Sequence, residues 1–228
     1  MNPTPPPSAE ALAEAVRELD ATAAACTVVS RLLLEAPDQQ HLDGVRDPEL
    51  LADWPLPATG RTAEGLVRWA DSRRLGEDAS AVRADHNRLF VGPEALLAPP
   101  WESVHRSPEG LLFETETLQV RAWYARHGLA APRQGREPDD HLGLELSFVA
   151  ALSVRALDAV EAGAPDRARD LLAARRAFLD EHPLTWAGGF FDMIEEHART
   201  AFHRGLAALG DGLLDHLGAL PKDLDGTR

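Results

Sequence analysis

Residues 8–37 read SAEALAEAVRELDATAAACTVVSRLLLEAP, and this stretch decides the fold class. Its apolar side chains recur at intervals of three, four and seven residues, at Leu12, Val16, Leu19, Ala23, Cys26 and Leu33. Such spacing places the apolar residues along one face of an α-helix. Ser8 can cap the first turn, and Pro37 ends the helix because proline cannot continue the backbone hydrogen-bond ladder.

The remainder of the chain also favours helices. Asp47-Pro48-Glu49 combines a cap, a first-turn proline and a first-turn acid, which is typical of a helix start. The other segments with a helical pattern lie at 66–69, 78–90, 115–127, 141–162 and 165–178. In the segment 115–127, Leu118, Trp123 and Tyr124 should point inward.

The C-terminal residues 184–217 predict one broken helix or two, with Gly188, Gly189 and Gly205 as soft points. No segment shows sustained period-two alternation rich in Val, Ile and Thr, so strands are not expected. The sequence therefore predicts an all-α, single-domain bundle of about eight to ten helices over residues 8–220. Residues 1–7 are expected to be a disordered tail, and residues 221–228 a flexible one.

Two loops interrupt the helical pattern. Residues 91–112 and 128–140 contain prolines and glycines that exclude long helices. The first segment is expected to be extended. Long loops inside a compact domain are uncommon and often functional, so these loops are where a site is expected.

Composition narrows the classes of partner. The chain of 228 residues has a formal net charge of -14, which disfavours nucleic acid and anionic membrane surfaces. A cationic partner is electrostatically favoured, although many proteins are acidic for solubility alone. Cys26 is the only cysteine, so an internal disulfide is excluded and a buried structural thiol is expected. No secretory signal pattern and no apolar run long enough for membrane insertion are present, which favours a cytoplasmic protein.

Three carboxylates precede the helix predicted at 141–162, in Glu137-Pro138-Asp139-Asp140-His141. One interpretation is helix capping, because an aspartate accepts hydrogen bonds from free first-turn amides. Capping needs only one of the three acids. The other interpretation is an anionic mouth for a guanidinium group, which a carboxylate can bind through two parallel hydrogen bonds.

Two further sets of residues have alternative interpretations. His141 and Glu145 lie four apart on one helix face, where they could form an acid–base pair, contribute to a metal site or make a local bond at the helix start. A metal site needs three or four ligands, and no second pair of this kind is evident, so no metal is expected. Phe90 and Trp101 flank the first loop. One interpretation is that they are core residues, and the other is that they form the apolar wall of a groove. Neither a phosphate-binding loop nor a nucleophile turn occurs in the sequence.

Taken in order, these motifs resemble the TorD/DmsD family of redox-enzyme maturation chaperones. The motifs that carry the resemblance are Leu89-Phe90-Val91-Gly92-Pro93, Pro99-Pro100-Trp101-Glu102-Ser103-Val104, and Glu137-Pro138-Asp139-Asp140-His141 followed by Leu142-Gly143 and Glu145. The Glu-Pro-x-Asp-His element is the most specific of them and is complete. The chain departs from the family at His86 and His105, where aromatic residues are common.

The resemblance implies an all-helical, non-catalytic chaperone without a cofactor that binds a twin-arginine leader peptide. It implies that the peptide contacts Leu89, Phe90, Pro100, Trp101, Asp140 and His141. Glu137, Asp139 and Glu145 complete the expected site, with the acids meeting a leader arginine and the apolar residues sheltering the apolar stretch that follows it. The expected partner is the catalytic subunit of a molybdenum-containing oxidoreductase, held until its cofactor is loaded.

Three alternatives remain at this point. The nearest is an assembly chaperone of the NarJ type for a nitrate reductase, against which the complete Glu-Pro-x-Asp-His element argues. The second is a helical enzyme that uses His141 and Glu145, and the third is a structural adaptor without preference for twin-arginine peptides. A homodimer is possible, because hinge loops between helices permit domain swapping.

Overall fold

The computed structural model describes residues 9–107 and 110–220. Within these ranges the chain forms eleven α-helices and one π-helical turn, Asn87–Val91. The α-helices are α1 (Ala9–Leu34), α2 (Gln39–Val45), α3 (Pro48–Ala52), α4 (Gly60–Arg74), α5 (Ala79–His86), α6 (Glu102–Arg106), α7 (Thr115–Arg126), α8 (Leu142–Glu161), α9 (Pro165–Glu181), α10 (Pro183–His197) and α11 (Ala201–Ala219). The cap expected at Ser8 and the two tails, 1–7 and 221–228, lie outside the described residues.

The predicted all-α class is confirmed. In the described ranges the only β-type pairings are two isolated bridges, Trp101 with His141 and Gln134 with Glu137. The number of helices exceeds eight to ten because short helices form where the sequence suggested loop. Asp38 caps α2 by accepting a hydrogen bond from the His41 N–H at 2.8 Å, and α6 lies inside the segment expected to be extended.

The centre of the bundle is α8, against which α1 and α9 pack. The crossing with α1 is close at Gly143, where an added Cβ would lie 2.6 Å from Cγ of Leu34. Cys26 on α1 is fully buried, and burial raises the pKa of its thiol to about 12. This confirms the expectation of a structural thiol, because the neutral form is inert and packs as a small apolar group.

On the other side of the bundle, α11 packs against α4 and α10. The chain breaks at residues 198–200, where Thr200 caps α11, and not at the glycines expected to be soft points. Gly188 and Gly189 lie within α10. Gly205 is a site of close packing, since an added Cβ would lie 2.4 Å from Cδ1 of Trp69. The glycine permits the α4–α11 contact and does not weaken the helix end.

Two local predictions were wrong. Leu118 was expected to point inward on α7, but it is 58% exposed, whereas Trp123 and Tyr124 are buried. The single helix expected over 78–90 is α5 followed by the π-helical turn. That turn leaves both Leu89 and Phe90 buried in the core.

None of the helices within 9–107 and 110–220 is long and apolar enough to cross a membrane.

Candidate functional site

A groove of about 390 Å³ opens where the end of α1, the loop before α8 and the first turn of α8 meet. We call it the Trp101 groove. Three of the predicted site residues line it: Trp101, Glu137 and His141. Its other lining residues are Leu34, Glu35, Ala131, Pro132, Arg133, Pro138 and Leu144. The groove thus combines an apolar surface with two acids and one arginine.

Backbone hydrogen bonds join the two sequence motifs into one unit. The Glu102 N–H donates to the Asp140 carbonyl at 2.9 Å, and the Leu142 N–H donates to the Pro100 carbonyl at 2.8 Å. The rings of Trp101 and His141 lie perpendicular, with centroids 5.8 Å apart. The orientation of Trp101 in the groove is therefore fixed by the turn that precedes α8.

Asp140 lies beneath this unit and is fully buried. One carboxyl oxygen accepts from the Ser103 N–H at 2.7 Å, and the other accepts from the Thr117 hydroxyl at 2.6 Å. Asp140 therefore caps the first turn of α6 and ties α7 to it, and it does not cap α8, the helix for which capping was predicted. Both oxygens already accept hydrogen bonds, so in this conformation Asp140 has no open face towards the groove.

The other two acids of the motif have different surroundings. Asp139 is fully buried, and the Arg121 guanidinium donates to its carboxylate. The Tyr124 hydroxyl donates to the Asp139 carbonyl at 3.2 Å. Glu137 is exposed and pairs with Arg133 at 2.6 Å. Of the three acids, Glu137 is the one that lines the groove.

His141 is the residue that caps α8. Its Nδ1 accepts the Gly143 N–H at 3.0 Å, which requires that this nitrogen be unprotonated. Burial, reinforced by the charge of His86, lowers the pKa of His141 to about 3. The ring is therefore neutral near pH 7 and carries its proton on Nε2, which leaves an N–H donor on a residue that lines the groove.

Glu145 is fully buried, one helical turn after His141. Neither carboxyl oxygen has a hydrogen-bond partner among the described residues. Burial raises the pKa of Glu145 well above its ordinary value of 4.5, and the negative charges of Glu102 and Asp140 raise it further. The surroundings of Glu145 below the site thus favour the neutral carboxylic acid over the carboxylate. It does not line the groove with His141.

The apolar residues of the first motif belong mainly to the core. Leu89, Phe90 and Pro100 are buried, and none of them lines the Trp101 groove. The ring of Phe90 packs against His86, with centroids 4.9 Å apart. The core interpretation of Phe90 is therefore the one its position supports, while Trp101 has the groove position.

The two histidines that replace common family aromatics occupy aromatic environments. Burial lowers the pKa of His86 to about 4, so its ring is neutral where it contacts Phe90. The His105 ring lies 4.8 Å from that of Trp186, and its Nε2 is 2.7 Å from the Pro99 carbonyl oxygen. Both imidazoles pack as flat rings, with His86 buried and His105 half-buried, and neither lines the groove.

Sequence reasoning missed several residues of the site. Leu34 and Glu35 approach from the end of α1, far along the chain from the motifs. Thr117, Arg121 and Tyr124 on α7 hold the buried acids. The helical pattern predicted Tyr124 only as an inward-facing residue, and no local pattern marks the other four. The described residues contain no group of three or more His, Cys, Asp or Glu side chains placed to hold a metal ion.

Comparisons with known proteins agree on one group. A family model described as nitrate reductase delta subunit matches residues 56–192, which include both site motifs. The chain is 34% identical over 158 residues to the Tat proofreading chaperone DmsD of Salmonella paratyphi A, covering 69% of this chain and 68% of that protein. It is 25% identical over 154 residues to the chaperone protein TorD of Aliivibrio fischeri (67% and 70%). It is 31% identical over 188 residues to the chaperone protein YcdY of Escherichia coli (81% and 86%).

Proposed function

Because this chain belongs to the TorD/DmsD family of redox-enzyme maturation chaperones, we propose that it binds the twin-arginine leader of a molybdenum-containing reductase. Its relatives are named chaperones, and it is a chaperone and not an enzyme. The proposed partner is the catalytic subunit, which the chaperone holds in the cytoplasm until the cofactor is inserted.

The single observation that carries the proposal is the composition of the Trp101 groove. Trp101, Leu34 and Leu144 offer an apolar surface to an extended peptide. Glu35 and Glu137 offer carboxylates to a guanidinium at the same opening. A leader that carries arginines followed by apolar residues matches both features, and the chain's net charge of -14 favours a cationic peptide.

The predicted site residues then have two kinds of role. Trp101, Glu137 and His141 contact the peptide, with the His141 Nε2–H donating to a peptide carbonyl. Asp139 and Asp140 lie beneath and hold the α6–α7–α8 junction that positions Trp101. Glu145 is buried next to this junction, one helical turn after His141. Leu89, Phe90 and Pro100 affect peptide binding indirectly. They are buried, and their packing fixes the backbone of the loop that carries Trp101. Removing the Asp139 or Asp140 carboxylate, or truncating Leu89, Phe90 or Pro100, would reduce peptide binding through stability or shape.

The proposal is tested by calorimetric titration with a synthetic twin-arginine leader. We expect saturable binding with a negative heat-capacity change, because apolar surface is buried. A leader in which both arginines are glutamine should bind more weakly, and a scrambled peptide of the same composition should not bind. Equal binding of all three peptides would support the structural-adaptor alternative instead. A nitrate reductase leader bound more tightly than a DMSO reductase leader would favour the NarJ-type alternative, which the description of the matched family also covers.

Trp101→Ala should weaken leader binding by about tenfold to a hundredfold. A large, rigid aromatic side chain in the centre of an interface typically supplies about 2 kcal/mol or more. Replacing both leader arginines by lysine should cost less, since an exposed ion pair is worth about 0–1 kcal/mol and is screened by salt. Titrations of both variants at low and high salt measure this difference.

Leu118→Ala is the matched control for that experiment, because Leu118 is exposed and lies outside the groove. It removes apolar surface without touching the proposed site, so leader affinity should not change. If binding were lost at high salt while Trp101→Ala bound the leader as tightly as the wild type, the apolar surface would not be the main source of leader affinity.

A further inference from the structure

The acidic opening of the Trp101 groove already contains a guanidinium group. Arg133 lies in the loop before α8 and pairs with Glu137 at 2.6 Å. Glu35 lines the same groove, and its charge, together with that of Glu137, contributes to raising the pKa of Arg133. Among the described residues, Glu35 has no ion-pair partner of its own. Within the described ranges, Arg133 is the one arginine or lysine that lines this groove.

We propose that Arg133 is an internal competitor for the leader, occupying the position that a leader arginine takes on binding, and that Glu35 is a specificity-determining residue of the same site. This inference rests on the proposed function. It adds Glu35, a residue directly after α1 that the sequence motifs do not include, and it gives Arg133 a role in selecting guanidinium-bearing peptides.

The pair is suited to exchange because it is exposed. The side chains of Arg133 and Glu137 are 70% and 54% exposed, so water screens their attraction and both remain accessible to a competing cation. A leader arginine replaces one charge-assisted hydrogen bond by another at Glu137. It also gains a direct contact with Glu35, which forms no ion pair within 4 Å among the described residues. A peptide without a cation leaves Arg133 in place and gains neither contact.

The apolar part of the groove favours the state in which the leader has displaced Arg133. Trp101, Leu34 and Leu144 lie in the same cavity as the two acids. A peptide whose arginine is followed by apolar residues covers this surface when its guanidinium displaces Arg133, whereas Arg133 alone does not. Free arginine should therefore compete poorly, and a complete leader should compete well.

The test compares Arg133→Ala with Arg136→Ala. Both residues are exposed arginines of the same loop, and both changes alter the net charge equally, but no ion pair involves Arg136 among the described residues. We expect Arg133→Ala to bind the twin-arginine leader roughly three- to fivefold more tightly than Arg136→Ala, which is the size of effect for an exposed ion pair. This gain should vanish for a leader with both arginines changed to glutamine.

A second pair of variants examines the acids. Glu35→Gln should weaken binding of the twin-arginine leader about threefold and leave the glutamine leader unaffected. In an Arg133→Ala, Glu137→Gln double variant, the gain from removing Arg133 should be lost. Thermal melts verify that each variant is folded, as expected for exposed positions.

The outcomes separate the two proposals. Equal affinity of Arg133→Ala and Arg136→Ala, or weaker binding by Arg133→Ala, would overturn the competitor role while leaving leader binding established. A Glu35→Gln variant with unchanged affinity would remove Glu35 from the site. A wild-type protein that does not bind the leader would overturn the proposed function, and this inference with it.

Discussion

Asp85→Ala is expected to lower the free energy of unfolding by about 3–5 kcal/mol. Asp85 is buried at the end of α5, and one of its oxygens accepts three hydrogen bonds at 2.9 Å, from the Arg199 N–H, the Thr200 N–H and the Thr200 hydroxyl. Its other oxygen accepts from Arg88 at 2.7 Å. Alanine removes the acceptor of the Arg199 and Thr200 N–H groups at the start of α11, while Arg88 retains its hydrogen bond to the His197 carbonyl. Buried donors left without an acceptor are the costly form of a broken pair.

The contribution of the Asp85 carboxylate to the free energy of unfolding depends on pH. Burial alone would raise the pKa of Asp85, but hydrogen bonds from His203, Thr200 and Arg88 outweigh it and hold the pKa well below its ordinary value of 3.8. A depressed carboxyl pKa stabilises the fold above the ordinary value, and this stabilisation is lost as the pH falls below it. The difference between wild type and Asp85→Ala should therefore shrink on acidification.

Urea unfolding of Asp85→Ala measures the loss of unfolding free energy, and Asp47→Ala is the matched control substitution. Asp47 caps α3 by accepting one hydrogen bond from the Glu49 N–H at 2.9 Å, and its half-buried carboxylate also pairs with exposed Arg73 at 3.5 Å. Loss of such a cap costs about 0.5–2 kcal/mol. Equal shifts in the urea midpoint for the two variants would show that the buried network at Asp85 contributes no more than an ordinary cap.

Glu145→Gln is expected to stabilise the protein at neutral pH, by an amount that grows as the pH rises. The carboxyl group is ionised above its ordinary pKa of 4.5 in the unfolded chain, while its raised pKa favours the protonated form in the folded state. The folded state therefore loses stability at about 1.4 kcal/mol per pH unit between the unfolded and folded pKa values. The glutamine side chain does not titrate, so the stability of the variant does not fall with pH in this way.

The surroundings of Glu145 support the direction of this change. Glu102 on α6 and Asp140 before α8 are the nearby acids, Tyr124 on α7 and Trp186 on α10 face the same group, and His182 donates to Glu102 at 2.8 Å. A glutamine amide can donate to the neighbouring carboxylates. Ionised Glu145 can only repel them.

Unfolding free energies measured from pH 5 to pH 9 test the prediction, with Glu161→Gln as the control. Glu161 is the last residue of α8 and is exposed, so the same change of charge there should produce no gain that grows with pH. A Glu145→Gln variant less stable than wild type at every pH would show that the carboxylate is needed in its charged form.

The helical class could be read from the sequence because helix periodicity is a local property. The spacing of apolar residues in α1, the cap of α3 at Asp47 and the long run of α8 all depend on neighbours within a few residues. The motifs around Trp101 and His141 also identified the region of the groove. Trp101, Glu137 and His141 indeed line it, although their roles in binding a peptide remain proposals.

What only the tertiary structure decided is which of the motif residues face the solvent. Glu137, Asp139 and Asp140 are adjacent acids in the sequence, yet only Glu137 is exposed, because Arg121 and Thr117 on α7 and Ser103 on α6 bind the other two. Leu34 and Glu35 join the groove only because α1 packs along α8 through the small residue Gly143. Exposure depends on contacts between segments far apart in the chain, and a pattern confined to one segment does not contain them.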